Sequence, residues 1–142
     1  FFAYTLTRTS SSRVWMYVTD TVTGRRRLVR RLTRPAQLPE SSPAVPVATI
    51  SGTRMAWRER MRVRRGYVDR VVYRSLRTGK VRLVARIDDT RGQRRFVTAP
   101  ALLGRRAAWA SVALPLSGGA RGGYYGVAPP GAQSQVLTAV VR

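Results

Sequence analysis

The apolar and polar positions along this chain follow the pattern of short β-strands. Between Thr53 and Glu59, Met55 and Trp57 alternate with other residues at period two, which places both on one face of a strand. Arg70 to Arg74 is rich in Val and Tyr, side chains that suit a pleated, half-buried surface. Val45 to Ile50 is another such run. In Lys80 to Val84, the residues Lys80, Arg82 and Val84 alternate with Val81 and Leu83, as on an edge strand blunted by charge. Ser51-Gly52 and Leu76-Arg77-Thr78-Gly79 read as the turns between these runs, with Gly79 in a left-handed position. No segment combines helical periodicity with caps. Arg58 to Arg65 comes nearest, but Gly66 and its β-branched flank oppose a helix. The predicted unit is a four-stranded antiparallel meander.

That unit recurs. Ile50-Ser51-Gly52-Thr53-Arg54-Met55-Ala56-Trp57 parallels Leu102-Leu103-Gly104-Arg105-Arg106-Ala107-Ala108-Trp109 at an offset of 52 residues. Tyr73 with Tyr125 and Gly79 with Gly131 extend the same offset. An earlier copy is present: Val14 to Val18 followed by Thr23-Gly24 and Leu28-Val29 parallels Val71-Val72-Tyr73 followed by Thr78-Gly79 and Leu83-Val84. Phe2-Ala3-Tyr4 then stands where Met55-Ala56-Trp57 stands, with a small shift. The predicted division is 1–38, lacking its first strand as if the chain started within a unit, then 39–90, then an irregular 91–142. In the last unit Ala128-Pro129-Pro130-Gly131 replaces the polar turn and Gly122-Gly123 weakens the third strand. Trp57 and Trp109 could stack on bases or sugars. Their matched positions assign them instead to the core between neighbouring sheets, because a packing residue must recur with its unit.

Repeated four-stranded meanders of about 40–50 residues are the blade pattern of β-propellers. Through Ser51-Gly52, Met55-Ala56-Trp57, Val71-Val72-Tyr73 and Thr78-Gly79-Lys80, the chain resembles bacterial TolB-like and WD40-like propellers. The expected fold is therefore all-β: a partial β-propeller of about three blades, each a four-stranded antiparallel meander. A closed propeller takes at least about four blades, so the expectation is a partial chain or one that packs with copies of itself. The resemblance implies an interaction scaffold in a periplasmic or extracellular setting.

Composition changes this picture in two ways. A chain of 142 residues with 44% hydrophobic content supports one domain with a core. Against this stand 27 basic and only 6 acidic residues, a formal net charge of +21, and Lys80 is the sole lysine. Such a charge attracts anions. The near-exclusive use of arginine, beside abundant Ala, Gly and Val, is equally the product of a GC-rich coding sequence. In a meander, alternate connections lie at opposite ends. Arg58, Arg60, Arg62, Arg64 and Arg65 fall in or beside a second-to-third connection, and Arg31, Arg34, Arg91, Arg94 and Arg95 fall in links between units. These ten are expected to form one basic rim that binds an acidic protein or an anionic polymer. The alternative is a basic nucleic-acid-binding protein, associated with ribosome or chromatin.

Catalytic chemistry finds little support. With no cysteine and no histidine, thiolate nucleophiles, disulfides, imidazole bases and the commonest metal ligands are all excluded. Asp88-Asp89 is the only adjacent acidic pair and reads as a turn, since a calcium loop needs more oxygen ligands at close spacing. Glu59 and Asp69 are expected to pair with the arginines of the basic loop as exposed ion pairs of little energetic weight. The serines at 10–12 and 41–42 have no base to activate them, and no G-x-S-x-G elbow occurs. Gly118 to Gly123 lacks the Gly-Lys-Ser/Thr ending of a phosphate loop. No catalytic, cofactor or metal site is expected. No apolar run approaches the roughly 20 residues of a membrane span, no signal peptide is visible, and the Phe1-Phe2-Ala3-Tyr4 beginning reads as that of a chain whose true start is expected upstream.

Overall fold

The computed structural model describes residues 1–8, 13–32, 47–64, 66–88, 93–115 and 133–141. Among these every regular element is a strand: β1 (Phe2–Arg8), β2 (Arg13–Thr19), β3 (Arg26–Leu32), β4 (Val47–Ser51), β5 (Arg54–Val63), β6 (Gly66–Ser75), β7 (Val81–Asp88), β8 (Gln93–Val97), β9 (Ala101–Leu103), β10 (Arg106–Pro115) and β11 (Gln133–Val140). They form three antiparallel sheets. The first is β1-β2-β3 and the second β4-β5-β6-β7. In the third, β10 pairs with β11 along one edge and with β8 and β9 along the other. The all-β class expected from the alternation is the class adopted, and no sheet closes on itself.

The middle sheet is covered on both faces, which explains why Met55, Ala56 and Trp57 are all buried although they are consecutive. Period-two alternation sends Met55 and Trp57, with Val72 of β6, toward Met16 and Val18 of the first sheet. It sends Ala56, with Val71 and Tyr73, toward Val97, Leu102, Ala107 and Trp109 of the third. Burying a side chain such as Met55 contributes about 1.5–3 kcal/mol. Two filled interfaces therefore outweigh the modest strand propensity of the arginine-rich segments between them. Trp57 and Trp109 are both buried, as expected of packing residues, and each faces the sheet that precedes it in the chain.

Local geometry recurs between the first two sheets. Gly24 and Gly79 both adopt positive φ, 68° and 75°. The amide of Gly24 donates to Asp20 O at 2.8 Å, and that of Gly79 to Ser75 O at the same distance. Side chains close both turns: Asp20 Oδ1 accepts from the Thr23 amide and Ser75 Oγ from the Thr78 amide. A bulge follows each turn, with Val29 extra in β3 and Val84 extra in β7. That bulge breaks the alternation expected along Lys80 to Val84. The register also seats Phe2-Ala3-Tyr4 against β2 as Met55-Ala56-Trp57 sits against β6.

Two expectations are corrected. First, β5 and β6 are ten residues each and run almost to the turn, so Arg60, Arg62 and Asp69, expected in the connection, are strand residues. Their charge reads as loop, yet across the hairpin Glu59 lies opposite Arg70 and Arg60 opposite Asp69, which lets charged strands pair. Second, the strand beside β10 is Gln133–Val140. Trp109 lies opposite Leu137 where Trp57 lies opposite Val72. The offset is thus 65 residues at this point, and the Tyr73–Tyr125 and Gly79–Gly131 correspondences do not match the pairing. Tyr125 and Gly131, with the Gly118 to Gly123 and Ala128 to Gly131 segments, lie outside the described residues.

Candidate functional site

Strand directions bring the end of β3, the β5–β6 turn and the start of β8 to one end of the stack. The layers are held in that alignment by Arg30 of β3 bonding to Glu59 of β5, and by Asp69 of β6 bonding to the Val97 amide of β8. The predicted basic rim does not act as one set there. Arg31, Arg64 and Arg95 are exposed. Arg58 is half-buried with Nε 3.7 Å from Asp69 Oδ1. Arg60 is buried, its Nη1 3.4 Å from Asp69 Oδ2 and its guanidinium 4.8 Å above the Tyr67 ring. Those two are thus partners of the protein's own interior rather than loop cations. Arg62 and Arg94 belong to β5 and β8, while Arg34, Arg65 and Arg91 lie outside the described residues.

Glu59 and Asp69 depart furthest from expectation. They do pair with arginines, but each is 1% exposed rather than on the surface. Glu59 accepts both arms of Arg30, from Nε at 2.8 Å and Nη2 at 2.9 Å, and the Trp57 indole N–H at 3.2 Å. Arg70 Nη1 stands 3.9 Å away. Asp69 accepts the Val97 amide at 2.8 Å. One carboxylate therefore ties the middle sheet to the first, and the other ties it to the third. The residue two positions after Trp109 is Ser111 instead of a glutamate, and the buried Trp109 indole N–H has no hydrogen-bond partner among the described residues. Sequence reasoning missed this because burial of an acid depends on the sheet laid over it.

The opposite end of the stack holds a half-open cavity of about 620 Å³. It is built by the β4–β5 turn (Thr53, Arg54), the β6–β7 turn and its flanks (Tyr73, Ser75, Arg77, Thr78, Lys80, Arg82) and Arg105 of the β9–β10 turn. Five cations line it, and among the described residues no carboxylate does. Among the described residues none of the five forms an ion pair. The described acids are committed elsewhere. Asp88 pairs with Arg86 at 3.0 Å, and the hydrogen bond from Arg86 to Asp88 raises the Arg86 pKa. Asp20 serves its own turn, where the Thr23 and Val22 amides hold its carboxyl below the usual value. The sequence did carry a signal for this groove. Arg77, Lys80 and Arg82 surround one turn, but that turn read as mere punctuation.

Arginine also bridges the first two sheets through carbonyls. Arg27 Nη2 donates to Leu76 O at 3.1 Å, and Arg74 Nη1 to Val29 O at 2.8 Å. Burial, then repulsion from Arg27, lowers the Arg74 pKa. Among the described residues no group of three His, Cys, Asp or Glu could hold a metal ion. No described helix is long and apolar enough to cross a membrane. Cations and hydroxyls of this kind can bind and orient an anion. No family model matches the chain, and no curated protein or solved structure matches it either.

Proposed function

We propose that the chain is an arc of β-propeller blades acting as a non-enzymatic binding scaffold. It takes an acidic protein or an anionic polymer at the end formed by β3, the β5–β6 turn and β8. The observation that carries the reading is the split among the rim arginines. Arg31, Arg64 and Arg95 are exposed, while Arg58 and Arg60 are held by Asp69. The propeller reading is supported by sheets that stack face to face, by Trp57 and Trp109 each facing the preceding sheet, and by β4 neighbouring both β1 and β9. Three sheets make an arc rather than a ring.

The test is retention on heparin and on duplex DNA as a function of salt, for the chain and for a variant combining R31A, R64A and R95A. The variant should elute from heparin at clearly lower salt. On DNA its log-affinity slope should flatten by about 0.9 for each phosphate no longer neutralised. Unchanged elution and slope would overturn the rim assignment. Duplex DNA bound more tightly than heparin at equal salt would instead support the nucleic-acid reading that the net charge of +21 favours.

A further inference from the structure

We propose that the groove at the opposite end, between the β6–β7 turn and Arg105, is a binding site for a compact multiphosphate anion. The reading is independent of the rim.

Three features of the lining point to that ligand class. The first is charge. Arg54, Arg77, Lys80, Arg82 and Arg105 converge on one cavity that no carboxylate of the described residues lines, although the protein places buried acids beside Arg58, Arg60 and Arg30. Like charges gathered this way repel one another, and a ligand with several negative charges relieves that repulsion. The second is the direction of the hydrogen bonds. Ser75 Oγ accepts from the Thr78 amide, and Thr78 Oγ1 accepts from the Lys80 amide. With their oxygens used as acceptors, both hydroxyls keep a hydrogen to donate. Guanidinium and ammonium groups have no acceptor at all. A wall of donors suits an anion made of acceptor oxygens, and four of its five cations are arginines, whose forks engage two phosphate oxygens at once.

The third feature is size. About 620 Å³ falls within the range of roughly 300–1,000 Å³ usual for small-molecule sites. The groove is walled by turns from two sheets, with Arg105 from the third and the remaining residues from the second. A half-open groove of that volume has room for a short phosphate chain.

The experiment uses the chain as it stands, with tripolyphosphate as the probe, and reads affinity by calorimetry and the thermal midpoint with and without probe. Tripolyphosphate should raise the midpoint, more so at low salt. A variant combining R77A and R105A should bind at least about tenfold more weakly, the drop expected when two charge-assisted hydrogen-bonding groups are removed. Its midpoint without probe should stay level or rise, because repulsion has been relieved; a merely structural role for these side chains would lower it. The charge-conserving pair R77K and R105K should fall between the two. Undiminished affinity in the alanine variant would overturn the proposal, as would an equal drop in the variant combining R31A, R64A and R95A. So would displacement of the probe by duplex DNA at matched phosphate concentration. Abolished rim binding with the groove intact would leave this site standing, and failure of the rim variant to change heparin retention would overturn the scaffold reading alone.

Discussion

The β5–β6 hairpin uses arginine in two opposite ways along its length. Toward the tip, Arg58 and Arg60 lie against the buried Asp69, and Arg70 lies against the buried Glu59. Toward the other end, Arg54, and then Arg77, Lys80 and Arg82 beyond the β6 strand, line a groove without a carboxylate among the described residues. The same residue type is interior mortar in one region and outward charge in the other. What separates the two is cover. A second sheet overlies each face of the hairpin near Glu59 and Asp69, so charge there must be balanced. The strand ends open to water, where unbalanced charge is tolerated and stays available to a ligand.

Breaking the buried side of that comparison should have the largest effect. Glu59→Ala leaves Arg30 and the Trp57 indole without their acceptor and Arg70 without its counter-charge, and should cost about 3 kcal/mol, read as a lower urea midpoint. Adding Arg30→Met to Glu59→Leu removes both charges and should recover most of that stability. If the double variant is no better than Glu59→Ala, the pair is not what ties the first two sheets together. Asp69→Asn keeps the size and an acceptor for the Val97 amide but removes the charge held by Arg58 and Arg60. It should cost about 2 kcal/mol and speed hydrogen exchange at the Val97 amide. An unaltered Val97 exchange rate would show that the third sheet is seated by its apolar contacts alone.

The smallest effect belongs to Asp20, an acid at a surface turn that belongs to neither region. Its folded pKa is depressed by two turn amides, so its contribution is present above the ordinary value of 3.8 and is lost as pH falls through the lower folded value. Stability measured from pH 5 downward should therefore decline less steeply in Asp20→Ala than in the parent. Identical acid limbs would show that the turn amides do not favour the charged form.

Much of the fold was legible along the chain because strand alternation and turn chemistry are local. Met55 and Trp57 sharing a face, Gly52 and Gly79 at turns, and the matching of Thr23-Gly24 to Thr78-Gly79 all follow from one or two residues and their neighbours. The strand ends from Arg60 to Val63 and from Gly66 to Asp69 were not legible. Alternating charges look like loop until an opposing strand pairs them, and that pairing spans the whole hairpin. The third unit misled for a related reason. Gly52 and Gly104 turn alike, but the length of chain between β10 and its partner is free to change once the turn is closed.

By itself the sequence determined an all-β chain with repeated turns, a tryptophan core and a large surplus of arginine. Which arginines are neutralised and which remain to bind was decided only by the tertiary structure. Desolvation acts wherever one sheet covers another, and no local pattern records that cover. It turned Glu59 and Asp69 from surface acids into the ties between layers, and it left Arg77, Lys80, Arg82 and Arg105 at an open end with no acid among the described residues to meet them.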